Sequence, residues 1–150
     1  GGVVYVAGMR AFLALLLLPT PALGWEFTPG LPCRLTHESP DARVELTHDP
    51  TAPLYTITIT RDAPWPAAPA FAMRFDGPAT LSIGTDRHVL SQDGRALTVT
   101  DRGFGNVLDG LQYNITAWAI AGDVAVPFPL DGAAAPVAAF RACEGAPLSS

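Results

Sequence analysis

The sequence has 150 residues, which suits one domain with a two-layer core and is too short for a motor protein built from several domains. Its formal net charge is −5, and all the basic residues are arginines because the chain contains no lysine. An acidic chain repels phosphate backbones, so nucleic acid is not expected as a partner.

The N-terminal part has the pattern of a secretory leader. We interpret residues 1–8 as an upstream or misannotated segment and residues 9–24 as a signal peptide. Arg10 supplies the positive charge, and residues 11–18 form an apolar stretch that is shorter than the ~20 residues of a membrane span. Cleavage after Gly24 leaves a single β-rich domain, residues 25–150, with no membrane anchor. We expect a periplasmic or secreted location.

A Pro/Gly-containing lead-in is followed by a predicted hairpin. Its strands are residues 33–38 and 43–48, and its turn is at residues 39–42. A symmetric turn sets the register of the two strands. It pairs Leu35 with Leu46, Arg34 with Thr47, and Glu38 with Arg43, the last as opposite charges.

Alternating apolar residues and turn signals predict a series of further strands. They cover residues 54–61, 71–75, 79–83, 88–91, 97–99, 113–121 and 124–130. Residues 103–110 are less regular and have the spacing of one helical turn. Asp131 is predicted to cap a C-terminal helix. The predicted fold is mostly β: an antiparallel β-sandwich or barrel of about seven to nine strands with one C-terminal α-helix.

Two cysteines, Cys33 and Cys143, lie near the ends of the predicted mature chain. In an oxidising compartment such a pair is expected to form a disulfide. The alternative is a catalytic thiol, which needs a nearby histidine and a lowered pKa. We favour the structural disulfide, joining the first core strand to the terminal helix.

The remaining polar residues give no catalytic set, no metal site and no cofactor site. His37 and His48 share a face of the predicted hairpin, but four residue steps separate them by ~13 Å, too far to share a metal ion. His88 stands alone on a short strand. The acids Asp101 and Asp109 lack the spacing of a calcium loop and are read as turn residues. A pair of carboxylates assembled by the fold remains open.

Two features carry binding hypotheses. The prolines Pro64 and Pro66 flank Trp65 and could hold its side chain outward as a binding loop. We favour the alternative, in which Trp65 covers one end of the core. The second feature is a row of threonines that point outward, and we interpret it as the solvent-facing side of ordinary strands. Its members are Thr56, Thr58, Thr60, Thr98 and Thr100.

Four segments resemble a family of short exported proteins from alphaproteobacteria that is functionally uncharacterised. They are Trp-Glu-Phe-Thr-Pro-Gly-Leu-Pro-Cys at residues 25–33, Pro-Trp-Pro at 64–66, Thr-Asp-Arg-Gly-Phe-Gly-Asn at 100–106 and Phe-Arg-Ala-Cys at 140–143. The ending has a strand, then Pro-Leu-Asp-Gly at residues 129–132, then a helix that closes on a cysteine, and it also resembles the invasion-associated locus B proteins of the periplasm. Members of the first family sometimes carry the label of the helicase-like component of excinuclease ABC, a DNA-repair enzyme. That activity needs the lysine of a phosphate loop, which this chain lacks.

These observations favour a non-enzymatic protein that binds or protects an envelope component, either a protein or a polysaccharide. The main alternative is an inhibitor of an envelope hydrolase, similar to a lysozyme inhibitor, which would insert an exposed loop into an active site. A third interpretation is a hydrolase whose catalytic residues meet only in the folded chain.

Overall fold

The computed structural model of the protein describes residues 24–143, so the predicted upstream segment and signal peptide lie outside the described residues apart from Gly24. The described part of the chain contains ten strands and two helices. In chain order they are β1 (Glu26–Thr28), β2 (Cys33–Glu38), β3 (Arg43–Asp49), β4 (Leu54–Thr60), β5 (Phe71–Asp76), β6 (Leu81–Thr85), β7 (Val89–Leu90), β8 (Ala96–Asp101), α1 (Gly105–Tyr113), β9 (Thr116–Ala121), β10 (Val124–Pro129) and α2 (Ala134–Arg141).

The strands form two antiparallel sheets. One has the order β1-β2-β3-β4-β8-β7, and the other has the order β10-β9-β5-β6. Buried side chains from both sheets and both helices make one apolar cluster. The predicted mostly β fold is therefore confirmed, and of the two predicted architectures the sandwich is the right one.

The register predicted for the first hairpin is confirmed. Leu35 pairs with Leu46, and both are fully buried. Glu38 pairs with Arg43, and the two side chains form an ion pair of 2.7 Å on the outer face. The register follows from the short turn and from the alternation of apolar residues, because a slip by one residue would turn Leu35 and Leu46 to the solvent.

Alternation also explains the centre of the sandwich. In β4, Ile57 and Ile59 point inward, and the threonines between them point outward. In β5, Phe71, Met73 and Phe75 all lie in the core. These two strands have neighbours on both sides and form the middle of their sheets.

Three expectations need correction. The lead-in is structured: it forms the edge strand β1, and Trp25 before it is buried and donates a 2.9 Å hydrogen bond to the Pro129 carbonyl. A second helix, α1, replaces the single turn expected after residue 103. Asp131 does not cap α2, because the helix begins after Ala133 and its N-terminus has no side-chain hydrogen bond.

Candidate functional site

A cleft of about 560 Å³ lies between the two sheets, at the end where α1 begins. We call it the inter-sheet cleft. One wall comes from β4 and β8, the other from β5 and β6, and the loop that leads into α1 closes one end. Its lining residues are Ile57, Phe71, Met73, Ile83, Gly84, Thr85, Arg87, Val99, Asp101, Gly103, Phe104, Gly105, Asn106 and Val107.

The cleft exists because β6 is an edge strand. It pairs only with β5, so nothing in its own sheet covers its other side. The inward side chains of β6, including Ile83 and Thr85, are therefore half-buried, whereas those of neighbouring β5 are buried. Sequence alternation predicts which residues of β6 point inward, but the open space beside them appears only when the sheets pack.

The mouth of the cleft carries two opposite charges. A guanidinium nitrogen of Arg87 lies 2.9 Å from Oδ2 of Asp101, and the side chains are 66% and 38% exposed. The other carboxylate oxygen of Asp101 accepts a 2.7 Å hydrogen bond from the Arg102 backbone N–H. The hydroxyl oxygen of Thr85 accepts a bond from the Arg87 backbone N–H. An apolar interior with a few polar groups at its entrance is typical of small-molecule sites.

Aromatic rings run from the cleft across one end of the larger sheet toward the disulfide. Phe104 lines the cleft and stacks on Tyr55, with ring centres 5.5 Å apart. Tyr55 stacks on His48 at 4.0 Å and meets the edge of Phe140 at 6.2 Å. Burial lowers the pKa of His48, and the charge of Asp49 partly opposes this shift.

The predicted disulfide is confirmed. Cys33 and Cys143 are bonded, with Cα atoms 6.5 Å apart, inside the range that a disulfide requires. The bond joins the first residue of β2 to the segment directly after α2. An ion pair between Arg141 and Asp109 connects α2 to α1, so the disulfide end is linked to the helix that closes the cleft.

The predicted binding loop does not present its aromatic side chain. Trp65 is only 3% exposed, and its indole N–H donates a 3.0 Å hydrogen bond to the Ile59 carbonyl. The guanidinium of Arg61 lies over the ring at 5.1 Å. Of the flanking residues, Pro64 is exposed and Pro66 is half-buried. Trp65 therefore covers the core, which is the alternative that the sequence analysis favours.

The threonine row lies on the outer face of the larger sheet. Thr58 and Thr98, on neighbouring strands, share a 2.9 Å hydrogen bond between their hydroxyls. Thr56 makes a similar 2.5 Å bond to Thr47. Three of the five hydroxyls thus bond across strands, which stabilises the sheet, and no member of the row lines the cleft.

The three histidines do not come together. His37 stacks on Trp25 at 4.6 Å, His48 lies at the disulfide end, and Nε2 of His88 is 3.0 Å from the Ala68 carbonyl. Within residues 24–143, no group of three or more His, Cys, Asp or Glu side chains could hold a metal ion. None of the histidines lines the cleft.

The stability of the fold is expected to fall below about pH 6.5 because of His37. Burial lowers its pKa, and this shift is partly opposed by the nearby Gly24 backbone and by the charge of Glu38. The unfolded chain then binds more protons than the folded chain below the ordinary histidine pKa. Stability is thus fully present above about pH 6.5 and decreases as the pH falls toward the lowered value.

Urea unfolding at about pH 7.5 and about pH 5.5 checks this pH dependence. The variant His37→Phe keeps an aromatic ring for the stack on Trp25 and has no titrating group, so its midpoint should change less between the two pH values. An equal change in both proteins would show that His37 is not responsible.

Comparisons with protein-family models, with curated proteins and with solved structures find no match to this chain. In residues 24–143, no helix has the length and apolar character needed to cross a membrane.

Proposed function

We propose that this chain is an exported, non-catalytic binding protein of the bacterial periplasm, and that its ligand is a small amphipathic molecule of the envelope held in the inter-sheet cleft. The observation that carries the proposal is the cleft itself. Its volume of about 560 Å³ falls within the range of ligand sites, and apolar walls lead to a polar mouth. The predicted leader and the disulfide support export to an oxidising compartment.

The composition of the cleft supports binding without catalysis. Among the described lining residues, the only carboxylate is Asp101, and both of its oxygens already accept hydrogen bonds. The part of the lining that the structure describes has no histidine, cysteine or serine, which are common nucleophiles and bases of hydrolases. An exposed Trp65 loop would favour the inhibitor alternative, but that side chain is buried.

Substitution of Ile83 by tryptophan is expected to weaken binding by about tenfold or more, because the larger side chain occupies the cleft. The matched control is Ser82→Trp, since Ser82 is exposed on the opposite face of the same strand. Binding is measured by the fluorescence increase of N-phenylnaphthylamine, an apolar dye, and thermal unfolding checks that both variants fold.

Wild type and Ser82→Trp should bind the dye, whereas Ile83→Trp should bind it poorly. If Ile83→Trp binds as well as Ser82→Trp, or if the wild-type protein does not bind the dye, the cleft is not the ligand site.

A further inference from the structure

The charges around the mouth of the cleft cancel. Arg87 and Asp101 are joined at 2.9 Å, and each has an oppositely charged, exposed neighbour in the chain, Asp86 and Arg102. The protein as a whole is acidic, but the mouth has equal numbers of positive and negative groups. The charges at the entrance itself therefore favour neither an anion nor a cation.

We propose that the ligand is a single-chain amphiphile with an uncharged head group that both donates and accepts hydrogen bonds. This inference rests on the proposed function of the cleft. Packed sheets lie ~10 Å apart, so the space between their side chains suits one alkyl chain better than a bulky ring system. Ile57, Met73 and Val99 supply an apolar floor for that chain.

An anionic head group is disfavoured because it would compete with Asp101 for Arg87. If it took the guanidinium, the Asp101 carboxylate would lose the contact at Oδ2 and would stand beside a second negative charge. If it bound the other N–H groups of Arg87 instead, its negative charge would still stand beside the Asp101 carboxylate. Like charges placed together across a binding site reduce affinity.

A cationic head group is disfavoured for the corresponding reason. It would need a carboxylate, but Asp101 already pairs with Arg87 and accepts a bond from the Arg102 backbone, so a cation bound there would stand beside the guanidinium. Displacing Arg87 would put two positive groups side by side. An uncharged head group leaves the ion pair intact.

The other polar groups at the mouth fit such a head group. The amide of Asn106, exposed at the start of α1, offers both a donor and an acceptor. The hydroxyl of Thr85 can donate, since its oxygen already accepts from the Arg87 backbone. Hydroxyl and amide head groups can use both partners without displacing any charged contact.

Three ligands with the same alkyl chain test the inference: monodecanoylglycerol, decanoate and decylamine. Each is titrated at about pH 7, below micelle formation, by displacement of N-phenylnaphthylamine. Monodecanoylglycerol should bind about tenfold more tightly than either charged ligand, because it alone leaves the ion pair undisturbed. Its affinity should also be nearly independent of salt.

Two variants then reverse the preference. Asp101→Asn leaves Arg87 without its carboxylate, so decanoate should become the tightest of the three ligands. Arg87→Gln leaves Asp101 without its guanidinium, so decylamine should become the tightest. A general loss of folding would weaken all three ligands together, so these opposite changes report on charge at the mouth.

The outcomes separate this inference from the proposed function. If the dye binds but a charged ligand is the tightest in the wild-type protein, or if none of the three displaces the dye, the uncharged head group is wrong and the cleft remains the binding site. If the dye itself does not bind, the proposed function fails.

Discussion

Replacing both cysteines, Cys33→Ser with Cys143→Ser, is expected to lower the free energy of unfolding by about 2–4 kcal/mol. The two residues are 110 positions apart, so the bond closes almost the entire described chain into one loop. Without the bond, the unfolded chain has a higher conformational entropy, because its two ends are no longer held together. The stabilisation by a disulfide grows with loop length, although measured values are smaller than this entropy alone predicts.

The bond also has a role in the folded state, where it connects two elements near the edge of the fold. β2 begins at Cys33, and α2 is a helix of eight residues, which is too short to be stable alone. Val137 and Phe140 anchor α2 in the core, and both are fully buried. We therefore expect the variant to keep its fold and to unfold at a lower denaturant concentration.

Urea denaturation followed by tryptophan fluorescence measures this loss. Because Cys33 is fully buried, a serine there adds the cost of a buried hydroxyl. Cys143→Ser alone breaks the same bond and leaves the sulfur of Cys33 in place, so it is the matched control. Wild-type protein reduced with dithiothreitol should unfold like this single variant. If all three proteins stay within about 1 kcal/mol of the oxidised protein, the disulfide contributes little.

The sequence is informative where the structure depends on local patterns. The register of the first hairpin follows from a four-residue turn and from apolar alternation, both visible in the chain. The disulfide follows from two cysteines and from the predicted leader. In the hairpin only one register buries the apolar residues, and for the cysteines the sequence favours the disulfide over the alternative of a catalytic thiol.

The sequence is much less informative where distant segments meet. The lead-in forms a strand that pairs with β2. Trp25, directly before it, bonds to the Pro129 carbonyl and stacks on the ring of His37, and neither partner is near it in sequence. The mouth of the cleft brings together Arg87, after β6, and Asp101, at the end of β8. Read separately, Asp101 resembles an ordinary turn residue, because its partner is known only after the sheets are stacked.

The position of α1 depends on a glycine in the same way. Gly110 faces β5, and an ideal Cβ atom at this position would lie 2.4–2.6 Å from ring carbons of Phe75. Real contacts of this kind are essentially never so short, so the helix can lie this close to the sheet only without a side chain at residue 110. From the sequence alone, a glycine within a helical segment is expected to destabilise the helix, and nothing indicates a close contact with a strand.

Gly110→Ala is therefore expected to lower the free energy of unfolding by about 1–3 kcal/mol, although alanine is the better helix former. The added methyl group must push α1 away from β5 or move Phe75, which is fully buried and has no free space to enter. The control is Gly105→Ala in the first turn of the same helix, where no atom lies within 4 Å of the added Cβ. Its stability should be unchanged or slightly higher.

The variant Phe75→Leu identifies the cause of this loss. It removes the ring that the methyl group would meet, so the cost of Gly110→Ala should be smaller in the Phe75→Leu background than in the wild-type protein. Urea denaturation of the four proteins gives the coupling between the two sites directly. Equal stability of Gly110→Ala and Gly105→Ala, or strictly additive effects with Phe75→Leu, would mean that α1 does not pack on β5 through residue 110. The expected coupling instead makes this one glycine the reason that the helix, and with it the end wall of the cleft, can lie against the sheet.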